Sequence, residues 1–328
     1  MKIYITRPIP KNGVAMLKAA GHKVTMQPKP LDLPVKELLK AVKGYDGVLS
    51  FLSNPIDDKF FAAAGPALKV VANYAVGYDN IDIAAATQCG IKVSNAPCIE
   101  VSRAVAEHAF ALMMALSRRI VEADTFTRAK KYKGWDPDLF IGHDMYDTTL
   151  GIVGLGGIGK EVAKRAVKGF GMSILYSDMK PDAAFEKEYG AKYVPLKDVL
   201  AQSDIVTLHV PLLPSTRHLI NAKTLKMMKK TALLINTARG PVVDETAVLK
   251  ALYASKLAGF GLDVYECEPA IDCNLKDRYE LRALSNVVMT PHIASATIRA
   301  REGMARVAAE NLIAGLAGKA MLQQIVLK

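Results

Sequence analysis

Thr149-Leu150-Gly151-Ile152-Val153-Gly154-Leu155-Gly156-Gly157-Ile158-Gly159-Lys160, running on as EVAKRAVKGFGMSILYSD to Asp178, is the stretch on which the fold of this chain turns. An apolar run of strand type enters a G-x-G-x-x-G turn, and a segment of helical periodicity leaves it. Glycine-rich hexapeptides occur at many turns, so the pattern alone decides little. Placed between a strand and a helix, it meets the context that a dinucleotide-binding turn requires. Gly154 permits the tight turn, Gly156 lets a pyrophosphate approach the backbone, and Gly159 lets helix and strand pack closely. The N–H groups of Gly157 and Ile158 then open a helix start that favours phosphate. Asp178 ends the following strand, where a carboxylate accepts from a ribose 2′-hydroxyl and repels a 2′-phosphate. This favours NAD, while Lys180 leaves NADP use open.

Outward from this turn, strand-like and helical stretches alternate on both sides. Ahead of it lie KIYIT, KVTMQ, GVLSF, LKVVANY and IKVSNA, with periodic segments between them. Behind it lie DIVTLHV, TALLINT, GFGLDV and NVVMTP. Such alternation predicts an α/β fold of two Rossmann-like doubly wound parallel sheets, with a cleft between the domains. Val101 to Lys131 reads as one extended helix, Gly134 to Asp147 as a loop, and Ala296 to Ala317 as a closing helix. At 328 residues the chain exceeds what one core usually organises.

Composition excludes several classes. With 51% hydrophobic and 23% charged residues the chain is of ordinary globular type. No apolar run reaches the ~18 residues of a membrane span, and the start MKIYITRPIP lacks a signal-peptide core, so a cytoplasmic location is expected. The four cysteines, Cys89, Cys98, Cys267 and Cys273, show no metal-ligand spacing and read as buried free thiols; no metal is expected. A net charge of +11 raises the question of nucleic acid, but the basic residues are dispersed apart from Arg128 to Lys133. A basic surface also gathers small anions and dinucleotides. The expected partner is therefore a small anionic substrate, with no nucleic acid and no membrane.

Three ionisable residues fall where strands of the second series end: Arg239 in INTARGPVVDE, Glu268 in GLDVYECEP and His292 in MTPHIASAT. Ligands of open α/β sheets bind beyond the C-terminal strand ends, so the three can converge. These segments, with AVGYDNID (75–82), GIVGLGGIG (151–159) and HVPLLPSTRHLIN (209–221), resemble the D-isomer-specific 2-hydroxyacid dehydrogenases over essentially the whole chain. The likeness is strongest to the glyoxylate/hydroxypyruvate reductase and D-lactate dehydrogenase branches.

The resemblance implies an NAD-dependent oxidoreductase that reduces a small 2-keto acid: pyruvate, glyoxylate or hydroxypyruvate. Arg239 would bind the substrate carboxylate and polarise its ketone. His292 would exchange a proton with the carbonyl oxygen, a role suited to an imidazole with its ordinary pKa of about 6.5. Glu268, the acid directly before Pro269, would hold the other ring nitrogen; Glu266 is its nearest competitor. Val76 and Gly77 would offer N–H groups to the substrate, with Leu52 and Ser53 lining its pocket. Val105, Val210, Pro211, Thr216, Thr237, Ala238, Asp263 and Ala294 would contact the coenzyme, Asp263 through the nicotinamide carboxamide. His209 is expected near the coenzyme without shuttling protons.

Gly157 stands where many relatives carry Arg, and Ala294 where Gly is frequent. Residues 1–100 with 293–328 are expected to form a substrate-binding, flavodoxin-like domain, and 101–292 an inserted NAD-binding domain. A homodimer through the Val101 to Lys131 helix is expected, with Trp135 either reaching a neighbouring subunit or packing locally. An NAD-sensing corepressor on the same fold is the alternative reading. Formate dehydrogenase is disfavoured, because that branch has glutamine at the place of Glu268.

Overall fold

The computed structural model describes residues 1–268 and 280–326; Pro269 and Cys273 lie outside the described residues. The chain divides into two compact units, Met1–Val101 together with the chain from Ala296 onward, and Ser102–Ser295.

The first unit is built from β1 (Lys2–Ile5), α1 (Lys11–Ala19), β2 (Lys23–Met26), α2 (Val35–Ala41), β3 (Gly47–Ser50), α3 (Asp58–Ala64), β4 (Val70–Asn73), α4 (Ile83–Gln88) and β5 (Lys92–Ser94). Near the end of the chain it adds, numbered in chain order, α12 (Ile298–Leu316) and β13 (Gln324–Ile325). Its sheet order is β2-β1-β3-β4-β5-β13, parallel except for β13. β3 and β4 are buried at every position, as strands covered on both faces must be, which is why GVLS and VVAN show no polar alternation. Side chains at the helix starts satisfy orphan N–H groups: Asp57 accepts from Phe60 N, Asp82 from Ala85 N and Thr297 from Ala300 N.

The second unit runs through α5 (Ile99–Ser117), α6 (Ile120–Arg128), β6 (Thr149–Val153), α7 (Gly157–Phe170), β7 (Ser173–Ser177), α8 (Ala183–Tyr189), β8 (Lys192–Tyr193) and α9 (Leu196–Gln202). It continues with β9 (Ile205–Leu208), α10 (Ala222–Leu225), β10 (Leu233–Asn236), a 3-10 turn (Gly240–Val242), α11 (Glu245–Tyr253), β11 (Gly259–Leu262) and β12 (Val287–Met289). All strands are parallel, in the order β8-β7-β6-β9-β10-β11-β12. This is the doubly wound dinucleotide order, and strand succession reverses between β6 and β9, where such sheets bind ligands.

The expected single helix from Val101 to Lys131 is two helices. Ser117 O accepts from His143 N at 2.8 Å instead of from the next turn of helix, and a Cβ on Gly142 would lie 2.3 Å from that oxygen. Arg119 adopts φ 52°, stacks its guanidinium 5.0 Å over the Phe140 ring and pairs with Glu122, and α6 restarts behind it. The cysteines also depart from expectation. Cys89 is exposed, Cys98 half-buried, and Cys267 disulfide-bonded. Among the described residues no helix is long and apolar enough to cross a membrane.

Candidate active site

The glycine turn leaves β6 at the point where β9 lies alongside. Gly154 takes φ +96°, and a Cβ there would approach His209 O to 2.7 Å. Gly159 packs so closely that a Cβ would lie 2.2 Å from Gly154 O. Among the described residues Gly156, by contrast, has nothing within 4 Å on its Cβ side, and no side chain caps the start of α7. The start of this 14-residue helix is bare backbone at Gly156, and Ser102 Oγ would meet a Cβ on Gly157 at 3.1 Å. Asp178 closes the turn: its Oδ2 accepts from Leu155 N at 2.7 Å and its Oδ1 from Met179 N at 2.6 Å. Each oxygen keeps acceptor capacity for a ribose hydroxyl. Thr237 is buried, and its Oγ1 has no hydrogen-bond partner among the described residues, which is unusual for a buried hydroxyl. These features fit a dinucleotide.

His292 and Glu268, 24 residues apart, meet: Nδ1 lies 2.7 Å from Oε2. Both side chains remain 26% exposed, so the pair is open to a ligand. His292 has φ +55°, a region that costs an ordinary side chain energy unless its surroundings impose it. Asp263 supplies that constraint. Almost wholly buried at 1% exposure, it accepts from Thr290 Oγ1 at 2.6 Å, Ile293 N at 2.9 Å and Ala294 N at 2.7 Å. Burial pushes its carboxyl upward, but hydrogen bonds from His108, Thr290, Ile293 and Ala294 outweigh this and hold it below the usual carboxylate range. Tyr265 completes the clamp by donating to Thr290 O at 2.8 Å. Asp263 thus secures the loop bearing His292, a role beyond the coenzyme contact expected of it. Nothing in the sequence pattern pointed to His108 or Tyr265.

Arg239 precedes the 3-10 turn, its Nη1 donating to Ala238 O at 2.8 Å and its carbonyl accepting from Asn236 Nδ2 at 2.9 Å. The next residue ties this segment to that of Glu268, since a Cβ on Gly240 would fall 1.8 Å from Tyr265 C and 2.3 Å from Glu266 N. Glu266, the rival for the role of Glu268, is engaged by His218, whose Nε2 lies 2.6 Å from Oε1.

In the first unit, three asparagines organise the loops after β3 and β4. Asn54 Oδ1 accepts from Thr6 Oγ1 and Phe51 N, and Asn80 Nδ2 donates to Phe51 O and Asn54 O. Asn73 Nδ2 reaches Gly77 O and Asn80 Oδ1. Ala75 O accepts from Ala96 N, and Val76 O from Asn95 Nδ2 at 2.6 Å. In a trans peptide the N–H points opposite to the carbonyl, so Val76 N–H and Gly77 N–H face away from residues 95 and 96. Ser53 Oγ is sealed from solvent with no partner among the described residues, and neighbouring Leu52 is half-buried. The asparagines occupy strand ends and the GYDNID motif, where only their position hinted at a role.

Val105 is buried in α5, Ala294 is buried, and Val210 and Ala238 pack partly buried against the β9–β10 core. Thr216 spends its hydroxyl on its own loop, accepting from Leu213 N and donating to Pro211 O at 2.6 Å, which sets the shape of the Pro211 turn. Lys180 is exposed. His209 keeps some exposed surface, but its Nδ1 is sealed, and burial pushes the ring pKa down to about 3. A neutral imidazole at ordinary pH is unsuited to donating protons.

Residues 110–294 match the family described as D-isomer specific 2-hydroxyacid dehydrogenase, NAD binding domain. A glyoxylate reductase of Thermococcus kodakarensis is 50% identical over 319 residues, covering 95% of this chain and 92% of that one. The crystal structure of a protein from Thermus thermophilus superposes with a TM-score of 0.90 at 39% identity, covering 99% of this chain and 100% of that one. A glyoxylate reductase from Paecilomyes thermophila does so with a TM-score of 0.86 at 32% identity, over 99% and 98% of the two chains.

Proposed function

Because this chain belongs to the D-isomer-specific 2-hydroxyacid dehydrogenase family, we propose that it reduces glyoxylate to glycolate, with hydroxypyruvate as a second substrate. The enzyme is an NAD(P)-dependent oxidoreductase acting on 2-hydroxy and 2-keto acids. Identity of 50% to a glyoxylate reductase favours glyoxylate over pyruvate. The observation that carries the chemistry is the 2.7 Å His292–Glu268 couple on a loop held in a left-handed conformation.

When bound, the nicotinamide supplies the hydride and takes it back in the reverse direction. His292 donates a proton from Nε2 to the carbonyl oxygen, since Nδ1 is committed to Glu268. The Glu268 carboxylate holds Nδ1 and so fixes the orientation of the ring, leaving Nε2 for the substrate. Arg239 pairs with the substrate carboxylate and, always charged, draws electron density from the ketone. Two cations thus meet the developing alkoxide without having to reorganise. In the first unit, Val76 N–H, Gly77 N–H and Ser53 Oγ are assigned to the substrate, Leu52 adding apolar lining.

The test is NADH oxidation over a panel of 2-keto acids. Glyoxylate is expected to give the highest kcat/KM, and no turnover with any panel member would overturn the reading. Coenzyme choice tests Asp178. Asp178→Ala removes a charged acceptor, worth about 1.5–3 kcal/mol, so kcat/KM for NADH should fall by about tenfold or more while that for NADPH holds or rises. An unchanged NADH/NADPH ratio would remove Asp178 from the coenzyme site.

A homodimer is part of the proposal. Val121 and Ile141 are exposed on the walls of a groove of about 440 Å³ that α5 and α6 help to line, a surface that a second copy would cover. Sedimentation as a single species of 35.5 kDa would reject it.

A further inference from the structure

We infer that His218 is a positioning residue, which through Glu266 pins the coenzyme loop after β9 to the backbone that carries Arg239 and Glu268. The inference rests on the dehydrogenase reading of that site and adds a second histidine–carboxylate couple to it.

The loop from His209 to Asn221 packs on the core at its two ends, through Val210 and Leu212 and through Leu219 and Ile220, and is exposed between, at Leu213 to Ser215 and Arg217. Its polar ties converge on His218. The backbone N of His218 donates to Pro241 O at 2.8 Å, and its carbonyl accepts from Asn221 Nδ2 at 2.8 Å. Its ring meets Glu266 at 2.6 Å. Just beyond, Ile220 N donates to Val242 O and Asp244 N to Ile220 O, so the loop closes by bridging the segment that follows Arg239. His218 itself sits at φ +49°, a conformation that persists only when neighbours impose it.

Glu266 is fixed from the other side. Its N donates to Glu245 Oε1 at 2.7 Å, and its Oε2 faces Glu245 N, at the start of α11, at 3.4 Å. Glu266 is also the residue whose peptide abuts Gly240, and Glu268 N returns to Tyr265 O at 3.2 Å within the same turn. One short segment, Tyr265 to Glu268, therefore presents two carboxylates to two imidazoles. Glu268 orients the ring that exchanges the proton. Glu266 anchors, through His218, the loop that carries Val210, Pro211 and the Thr216 clamp. The side chain of His218 is 38% exposed, so its loss leaves the core intact and acts on the loop.

The experiment titrates NADH fluorescence and measures steady-state kinetics on full-length His218→Ala, His218→Gln, Glu266→Ala and the double alanine variant. The expected result for His218→Ala is an NADH Kd and KM raised roughly five- to twentyfold, with kcat within about threefold of wild type, as for loss of one charge-assisted hydrogen bond outside the reacting atoms. His218→Gln keeps a side-chain donor and should recover most of the affinity. The double variant should bind NADH no more weakly than either single one. Unchanged NADH binding in His218→Ala overturns the inference, as does a glutamine variant no better than alanine, or additive losses. NADH binding is read without any keto acid, so a wrong substrate assignment would show in the kinetics of the wild type and leave this comparison standing.

Discussion

His292→Asn is expected to lower kcat for glyoxylate reduction by roughly 10²- to 10⁴-fold, with NADH binding close to wild type. Asparagine is the informative replacement because it accepts the left-handed backbone of this position more readily than other residues do. With φ at +55° in the native loop, most other substitutions would disturb Ile293 and Ala294, whose N–H groups are bound to Asp263. An amide can still hydrogen-bond to Glu268, but it cannot deliver a proton to an alkoxide as it forms. Steady-state kinetics at saturating NADH, together with NADH titration, check the result. A kcat within threefold of wild type would sink the assignment of His292 as acid and base.

Gly240→Ala is expected to destabilise the second unit by about 3 kcal/mol or more, at or beyond the upper end of overpacking costs. Carbon atoms in van der Waals contact sit about 3.5–4.0 Å apart, whereas a Cβ here would lie 1.8 Å from Tyr265 C and 1.9 Å from its oxygen. Those atoms are backbone, and the segment behind them carries Glu268, so neither side yields without shifting the segments of Arg239 and Glu268 against each other. Activity should fall together with thermal stability. Gly156→Ala is the control, because its φ of -74° suits any residue and nothing lies within 4 Å of the new methyl. That variant should unfold as wild type does and bind NADH more weakly. A Gly240→Ala protein with wild-type thermal unfolding would refute the close packing.

Much of this could be read along the chain. The buried strands GVLS, VVAN and LLIN show unbroken apolar runs because parallel sheets are covered on both faces. The glycine turn was legible because each glycine answers a local demand of backbone geometry. The edge strands Lys192–Tyr193 and Gln324–Ile325 escaped notice, being two residues long and carrying no period. The break at Arg119 escaped too, since the competitor for Ser117 O is His143, far along the chain. The sequence alone does not separate Glu266 from Glu268; in the fold each carboxylate meets a different histidine, His218 and His292.

What the residues determined by themselves was whatever repeats locally or obeys backbone sterics: the alternation of strands and helices, the phosphate turn, and the acid that ends β7. What only the tertiary structure decided was which polar groups meet. Asp263 gathers the loop of His292, Ala96 N and Asn95 set the peptides of Val76 and Gly77, and Gly240 locks the segment of Arg239 to the turn of Glu268. The reason is physical. Apolar burial and periodicity are properties of a segment, whereas a hydrogen bond or a close backbone contact belongs to a pair whose members the fold brings together from distant parts of the chain.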